Sequence, residues 1–223
     1  MNRRGHTAED IVQATNLLQK YGFETGLQMM TGLPSDTEQK SIETARKIIA
    51  LSPDGVRIYP TVVVRDTELY DLWKAGKYKE HTVEDAVSLC AVIAKMFDEA
   101  NIPIIRMGLN PTDELSGGAA VAGAYHPALG ELIRSRMMRN KALEHLKDIP
   151  EGKVLVLGVN RSDISKMTGN HRCNIVYLTE KLGLKSVRVT AADVNKGEII
   201  SPSPSPGVPV SSRLASADPL SSI

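Results

Sequence analysis

The residues able to do chemistry in this chain are few, and their spacing limits what they can do. Two cysteines, Cys90 and Cys173, stand far apart and neither belongs to a CxxC or CxxxCxxC group. That excludes a local metal knuckle and leaves two buried thiols or one disulfide as the open readings. Gln28 is a polar residue inside an otherwise apolar stretch ending at Met30. Buried without a partner, its amide would cost roughly 1–3 kcal/mol, so a hydrogen-bond partner is expected. Arg57 and Tyr59 are two residues apart in a segment rich in β-branched residues and share one strand face by the period of two. Arg134, Arg136, Arg139 and Lys141 cluster on or near one helix, which suits either contact with RNA phosphates or a solvated face. Ser116-Gly117-Gly118 precedes a helix but lacks the GxxxxGK pattern of a phosphate cradle, so a flexible loop facing substrate is the better reading.

These residues are positioned by an alternation of helices and strands. Thr7 can cap a helix over about residues 8–21 whose apolar stripe is Ile11, Ala14, Leu17, Leu18 and Tyr21, with Gly22 as its stop. An extended segment from Glu24 to Met30 follows, closed by Gly32-Leu33-Pro34. Ser35 and Glu38 stand three apart as a capping box for a helix over about 37–50 that buries Ile42, Ala45, Ile48 and Ile49. Val56–Val64 reads as a strand, Thr82 to about Ala100 as a helix, and Ile102–Met107 as the strand behind it. Residues 108–125 have no clean period and read as a long loop, before a helix from about His126 to Leu146. Strands joined at this spacing need crossovers, hence a parallel sheet with helices outside. A second, small βαβ unit then runs through strand Val154–Val159, one helix over about Asp163–Lys181, and strand Ser186–Val189. The expected organisation is 1–148, 149–200, and a Ser/Pro-dominated disordered tail over 201–223, which is also a candidate read-through.

Composition narrows the function classes further. The chain has 223 residues, 42% of them hydrophobic, and 27 basic side chains balance 26 acidic ones. One sizeable core or one core plus a satellite is possible at that length. The balance gives no whole-molecule attraction for nucleic acid or an anionic membrane. No apolar run reaches the roughly 20 residues of a membrane span, and no apolar segment follows Arg3-Arg4, so a cytoplasmic protein with no membrane partner is expected.

Four segments in order carry a resemblance: Arg4-Gly5-His6-Thr7, Gln28 to Pro34, Asp54 to Thr61, and Thr67 to Tyr78. Together they resemble the second half of a radical S-adenosylmethionine barrel, in the branch of the Elongator catalytic subunit and, more distantly, the oxygen-independent coproporphyrinogen oxidases. The likeness extends over residues 3 to about 145. It implies an α/β fold made of a partial parallel (β/α) barrel, followed by the small α/β unit and the tail. It also implies S-adenosylmethionine and a 4Fe-4S cluster as cofactors of the intact family member, and hydrogen abstraction by a 5′-deoxyadenosyl radical from an unknown substrate, with tRNA a candidate. By the family pattern Arg4 meets the cofactor carboxylate, for which a guanidinium fork is chemically apt. Gln28 either faces the cofactor or is a satisfied interior amide; Tyr59 either bounds the adenosine or is core. The CxxxCxxC loop that holds the cluster is not in this sequence, so no cluster is expected on this chain and the portion present is expected to be inactive alone. A half-barrel should expose a sheet edge and self-associate. The alternative is a non-catalytic α/β module binding a nucleotide or RNA.

Overall fold

A computed structural model describes residues 5–146 and 149–201; Arg4 and the Ser/Pro tail lie outside the described residues. The first helix, α1 (Ala8–Lys20), starts where Thr7 and Asp10 form a reciprocal capping box. It leads to β1 (Gly26–Thr31), α2 (Glu38–Ala50) and β2 (Gly55–Pro60). After β2 come β3 (Val62–Val64), α3 (Glu68–Lys74), α4 (Val83–Glu99) and β4 (Ile104–Met107). β1, β2 and β4 form a parallel sheet in that order, with Gln28 level with Arg57 and Met30 level with Tyr59. Parallel pairing requires crossovers, and α2 and α4 supply them. Their apolar stripes cover one face of the sheet, where Met29, Val56, Ile58, Ile93 and Phe97 are buried. Among the described residues no helix is long and apolar enough to cross a membrane.

Four local expectations are corrected by the structure. The capping box at Ser35 and Glu38 does not form; Thr37 caps α2 by accepting from the Lys40 N–H, and Ser35 turns the chain with a φ of 65°. The strand expected over Val56–Val64 is broken at Thr61, whose N–H and hydroxyl both donate to the Thr31 carbonyl. β3 thereby leaves the parallel sheet. It pairs antiparallel with β5 (Ala120–Gly123), a strand inside the stretch expected to be loop. Finally, the apolar stripe of α1 is not buried: Leu17 is 55% and Tyr21 72% exposed, because no described element packs over it.

The remaining elements are α5 (Leu129–His145), β6 (Val154–Val159), α6 (Ile164–Thr168), α7 (Cys173–Lys181), β7 (Ser186–Ala191) and β8 (Ile199–Ile200). β6 is central, parallel to β7 and antiparallel to β8. The single helix expected between β6 and β7 is two. Gly169, His171 and Arg172 all take positive φ, and the buried Asn174 amide donates to Lys166 O and to Ser135 O and Oγ, pinning the break against α5. α5 serves both cores, with Leu129 and Ile133 in the first and Met138 and Ala142 in the second.

Candidate functional site

The two faces of the β1-β2-β4 sheet differ in character. Strand periodicity sends Met29 and Ile58 under the helices and leaves Gln28, Met30, Arg57 and Tyr59 on the opposite face. Gln28 is exposed there, while Arg57 and Tyr59 are half-buried. The expectation that Gln28 is an enclosed amide needing a partner is therefore corrected: it is open to solvent, so burial imposes no desolvation cost on it. Tyr59 is level with Met30, two residues along from Gln28, so the two candidates share one face near the strands' C-terminal ends. Gln28 also lines a cleft of about 310 Å³ with Leu33, Pro34 and Lys40. Close backbone approach on this face depends on glycine. A Cβ on Gly55 would stand 2.7 Å from the Ile105 side chain, which lies across it. Arg4, the third candidate, lies outside the described residues.

The C-terminal ends of these strands are held by a polar network that the spacing of residues did not single out. Gly32 follows β1 with a φ of 73°, and its N–H donates to Asp36 Oδ2 at 3.0 Å while the Tyr78 hydroxyl donates to its carbonyl at 2.6 Å. Ser41 Oγ donates to the same Asp36 oxygen at 2.8 Å. Thr31 is fully buried, with its hydroxyl 3.2 Å from His81 Nε2. Burial lowers the His81 pKa, opposed by the nearby carboxylates of Asp85, Asp36 and Glu38. Burial likewise raises the Tyr78 pKa, so the phenol stays protonated and donates. Tyr78 and Thr61 each end one of the resembling sequence blocks, which is the signal that could have found them; for His81, one of the polar run Lys79-Glu80-His81-Thr82 ahead of a helix, there is none.

The basic cluster does not form a free cationic face. Arg134 pairs with Asp98 at 2.7 Å, and Arg136 with Glu84 at 2.6 Å and Ser88 Oγ. Lys141 donates to Gly197 O at 2.6 Å, and Arg139 stacks on the Tyr177 ring at 3.9 Å. Three of the four thus direct their donors inside the protein. Nor do the cysteines suit an iron-sulfur cluster. Such clusters need clustered thiolates, whereas Cys90 is buried with its pKa pushed up to about 12, and Cys173 is exposed on α7. Among the described residues no group of three His, Cys, Asp or Glu side chains is arranged to hold a metal.

Comparison with known proteins places this geometry. The Radical_SAM C-terminal domain matches residues 53–139. Human Elongator complex protein 3 is 39% identical over 137 residues, 60% of this chain and 24% of that protein. The tRNA uridine(34) acetyltransferase of Methanocaldococcus jannaschii is 37% identical over 90 residues, 39% of this chain and 17% of that protein. The chain therefore spans about a quarter or less of the length of these relatives. Among solved structures, the archaeal Methanocaldococcus infernus Elp3 with an N-terminal deletion gives a TM-score of 0.50 at 27% identity, over 65% of this chain and 32% of that one. The parallel sheet with outer helices, open on one face, corresponds to part of that fold, and among the described residues no closed barrel is formed. Residues 53–139 thus match the Radical_SAM C-terminal domain, and the chain is similar to part of the Elongator-like members of the radical S-adenosylmethionine superfamily.

Proposed function

We propose that residues 5–146 supply one wall of the cofactor chamber of a radical S-adenosylmethionine enzyme that modifies tRNA. The observation that carries this reading is the shared open face of Gln28, Arg57 and Tyr59 near the C-terminal ends of parallel strands, the end at which such barrels place their reacting groups. Its tRNA element rests on the names of the relatives. The residues suit S-adenosylmethionine: an exposed amide can pair with a base edge, and a phenol with a guanidinium beside it can bound a sugar and a carboxylate. Arg4 joins them by sequence pattern. When bound in an intact member, the cofactor supplies hydrogen-atom abstraction; the residues here would orient it and exclude water. They do not suit the 4Fe-4S cluster, whose ligands must come from a CxxxCxxC segment absent from the 223 residues. No step is assigned to this chain through that group.

The test uses a polypeptide joining residues 1–201 to a CxxxCxxC-bearing half-barrel, with binding of radiolabelled S-adenosylmethionine read by equilibrium dialysis. Gln28→Ala should weaken binding about tenfold, the scale of one missing hydrogen bond to a charged or well-placed partner. Because Gln28 is exposed, the urea midpoint should stay unchanged. Unchanged affinity in both Gln28→Ala and Tyr59→Ala would remove the proposed wall.

A further inference from the structure

The second core carries a feature that the cofactor-facing wall does not use. Between parallel strands β6 and β7, helices α6 and α7 are joined by the loop Gly169-Asn170-His171-Arg172, exposed from Asn170 onward. Clefts open on both sides of this loop. One of about 860 Å³ reaches Arg161 and His126; the other, about 490 Å³, reaches Arg139 and Tyr177; Asn170 lines both. Among the described residues Arg139, Arg161 and Arg172 take part in no ion pair. Arg139 goes further: its Nε is buried without a hydrogen-bond partner while its plane stacks on Tyr177. A buried unpaired donor costs roughly 1–3 kcal/mol, and a nearby oxyanion offsets that cost. Acidic groups facing the clefts are Glu131 on the larger, and Glu84 and Glu180 on the smaller. Glu84 is already engaged by Arg136.

We propose that this loop and its two clefts grip the phosphate backbone of a single-stranded nucleic acid. The occupant follows from charge and shape. Arg161 on one cleft, Arg172 in the exposed loop and Arg139 on the other cleft, none with an acidic partner, mark out a path that suits a chain of phosphates better than one small anion. The Tyr177–Arg139 stack ends that path with a planar surface of the kind bases stack on. A helix–loop–helix with a leading glycine is also the device by which KH modules hold a few unpaired nucleotides. Here Arg172, at a φ of 63°, stands where that loop has its second glycine, adding a cation at the point of approach. The inference rests on the tRNA reading for the choice of RNA over DNA, but it uses none of the cofactor-facing residues.

The experiment follows fluorescence anisotropy of a labelled RNA of about ten unpaired nucleotides, a length within single-strand site sizes, titrated with the full chain. The double variant His171→Asp, Arg172→Asp should raise Kd about tenfold or more. It should also flatten the salt dependence by about 0.7 log units per log unit for each phosphate the loop no longer neutralises. Asp tolerates the left-handed backbone found at both positions, so the fold should survive. The control, Lys181→Asp with Lys185→Asp, should change Kd less than about threefold although it alters formal charge at least as much. If the loop variant proves unfolded, Arg139→Gln serves in its place, with the same expected weakening. The proposal is overturned if the wild-type chain leaves the single strand unbound, if loop and control variants weaken binding equally, or if a duplex binds as tightly. Loss of S-adenosylmethionine binding in Gln28→Ala with RNA affinity intact would separate this site from the proposed cofactor wall.

Discussion

Substituting Gly32 by alanine probes the strand-end network most directly. Gly32 sits at a φ of 73°, and an added Cβ would lie 2.4 Å from both Cβ and Cγ of His81. His81 cannot swing clear, because the clash is with the root of its side chain, one residue before the cap of α4. Placing alanine at positive φ costs on the order of 1 kcal/mol, and forcing a group into occupied space costs about 1–3 kcal/mol. Displacing His81 also breaks its bond to Thr31, worth about 0.5–1.5 kcal/mol. These contributions overlap, and a net destabilisation of about 3 kcal/mol is expected, with no effect of this size at exposed Gly117, where the added Cβ meets nothing within 4 Å. Urea unfolding followed by circular dichroism should show the midpoint falling by about 1 M at an m-value near 3 kcal/mol/M. The assay is then repeated in a His81→Gly background, where the clash is gone but the backbone strain remains. The two substitutions should couple by at least about 1 kcal/mol. A destabilisation under about 0.5 kcal/mol for Gly32→Ala, or strict additivity with His81→Gly, refutes the reasoning.

Three further outcomes are expected. The folded-state pKa of His81 lies below the ordinary 6.5, so the unfolded chain binds the extra proton first. Stability should be full above pH 6.5 and fall as pH drops through the lower folded value, a dependence that urea midpoints should show and that His81→Gln should reduce. Anaerobic reconstitution with iron and sulfide should leave the chain without stoichiometric iron; a broad visible absorption with matching iron and sulfide content would contradict the ligand argument. Because β1 is an edge strand among the described residues and the α1 stripe is exposed, light scattering should find a molar mass that rises with concentration, and a sharp monomer at the highest concentration would count against it.

Much of the first sheet was legible because period and punctuation agree there. The α4 stripe of Ala86, Leu89, Cys90, Ile93 and Phe97 is buried as its spacing implies, and β2 and β4 lie behind helices of the expected length. The fold class followed from the alternation, and the family resemblance from blocks in order. Illegible were events decided by single long-range interactions. Thr61 turns out of the sheet because both of its donors find Thr31 O, thirty residues away. The α6–α7 break likewise depends on Asn174 meeting Ser135 from another helix. Burial of Gln28 was inferred from its apolar neighbours, but a sheet covered on one face only leaves alternate residues open, and local composition does not say which face is covered. The strand-end network escaped for a similar reason: Thr31, Asp36, Tyr78 and His81 come together through topology rather than spacing.

α5 threads both hydrophobic cores with one uninterrupted rod of 17 residues, about 25 Å long. Its turn angle therefore sets the azimuth of one sheet about the axis of the other. Inserting a single residue between Met137 and Met138 would rotate everything beyond by about 100°. Met138 and Ala142 would then face solvent while the packing of Leu129 and Ile133 stayed intact. Length variation among descendants of this sequence should accordingly be absent from α5 and collect instead in the connections around residues 109–118 and 192–198, where the chain can absorb extra residues without twisting one half against the other.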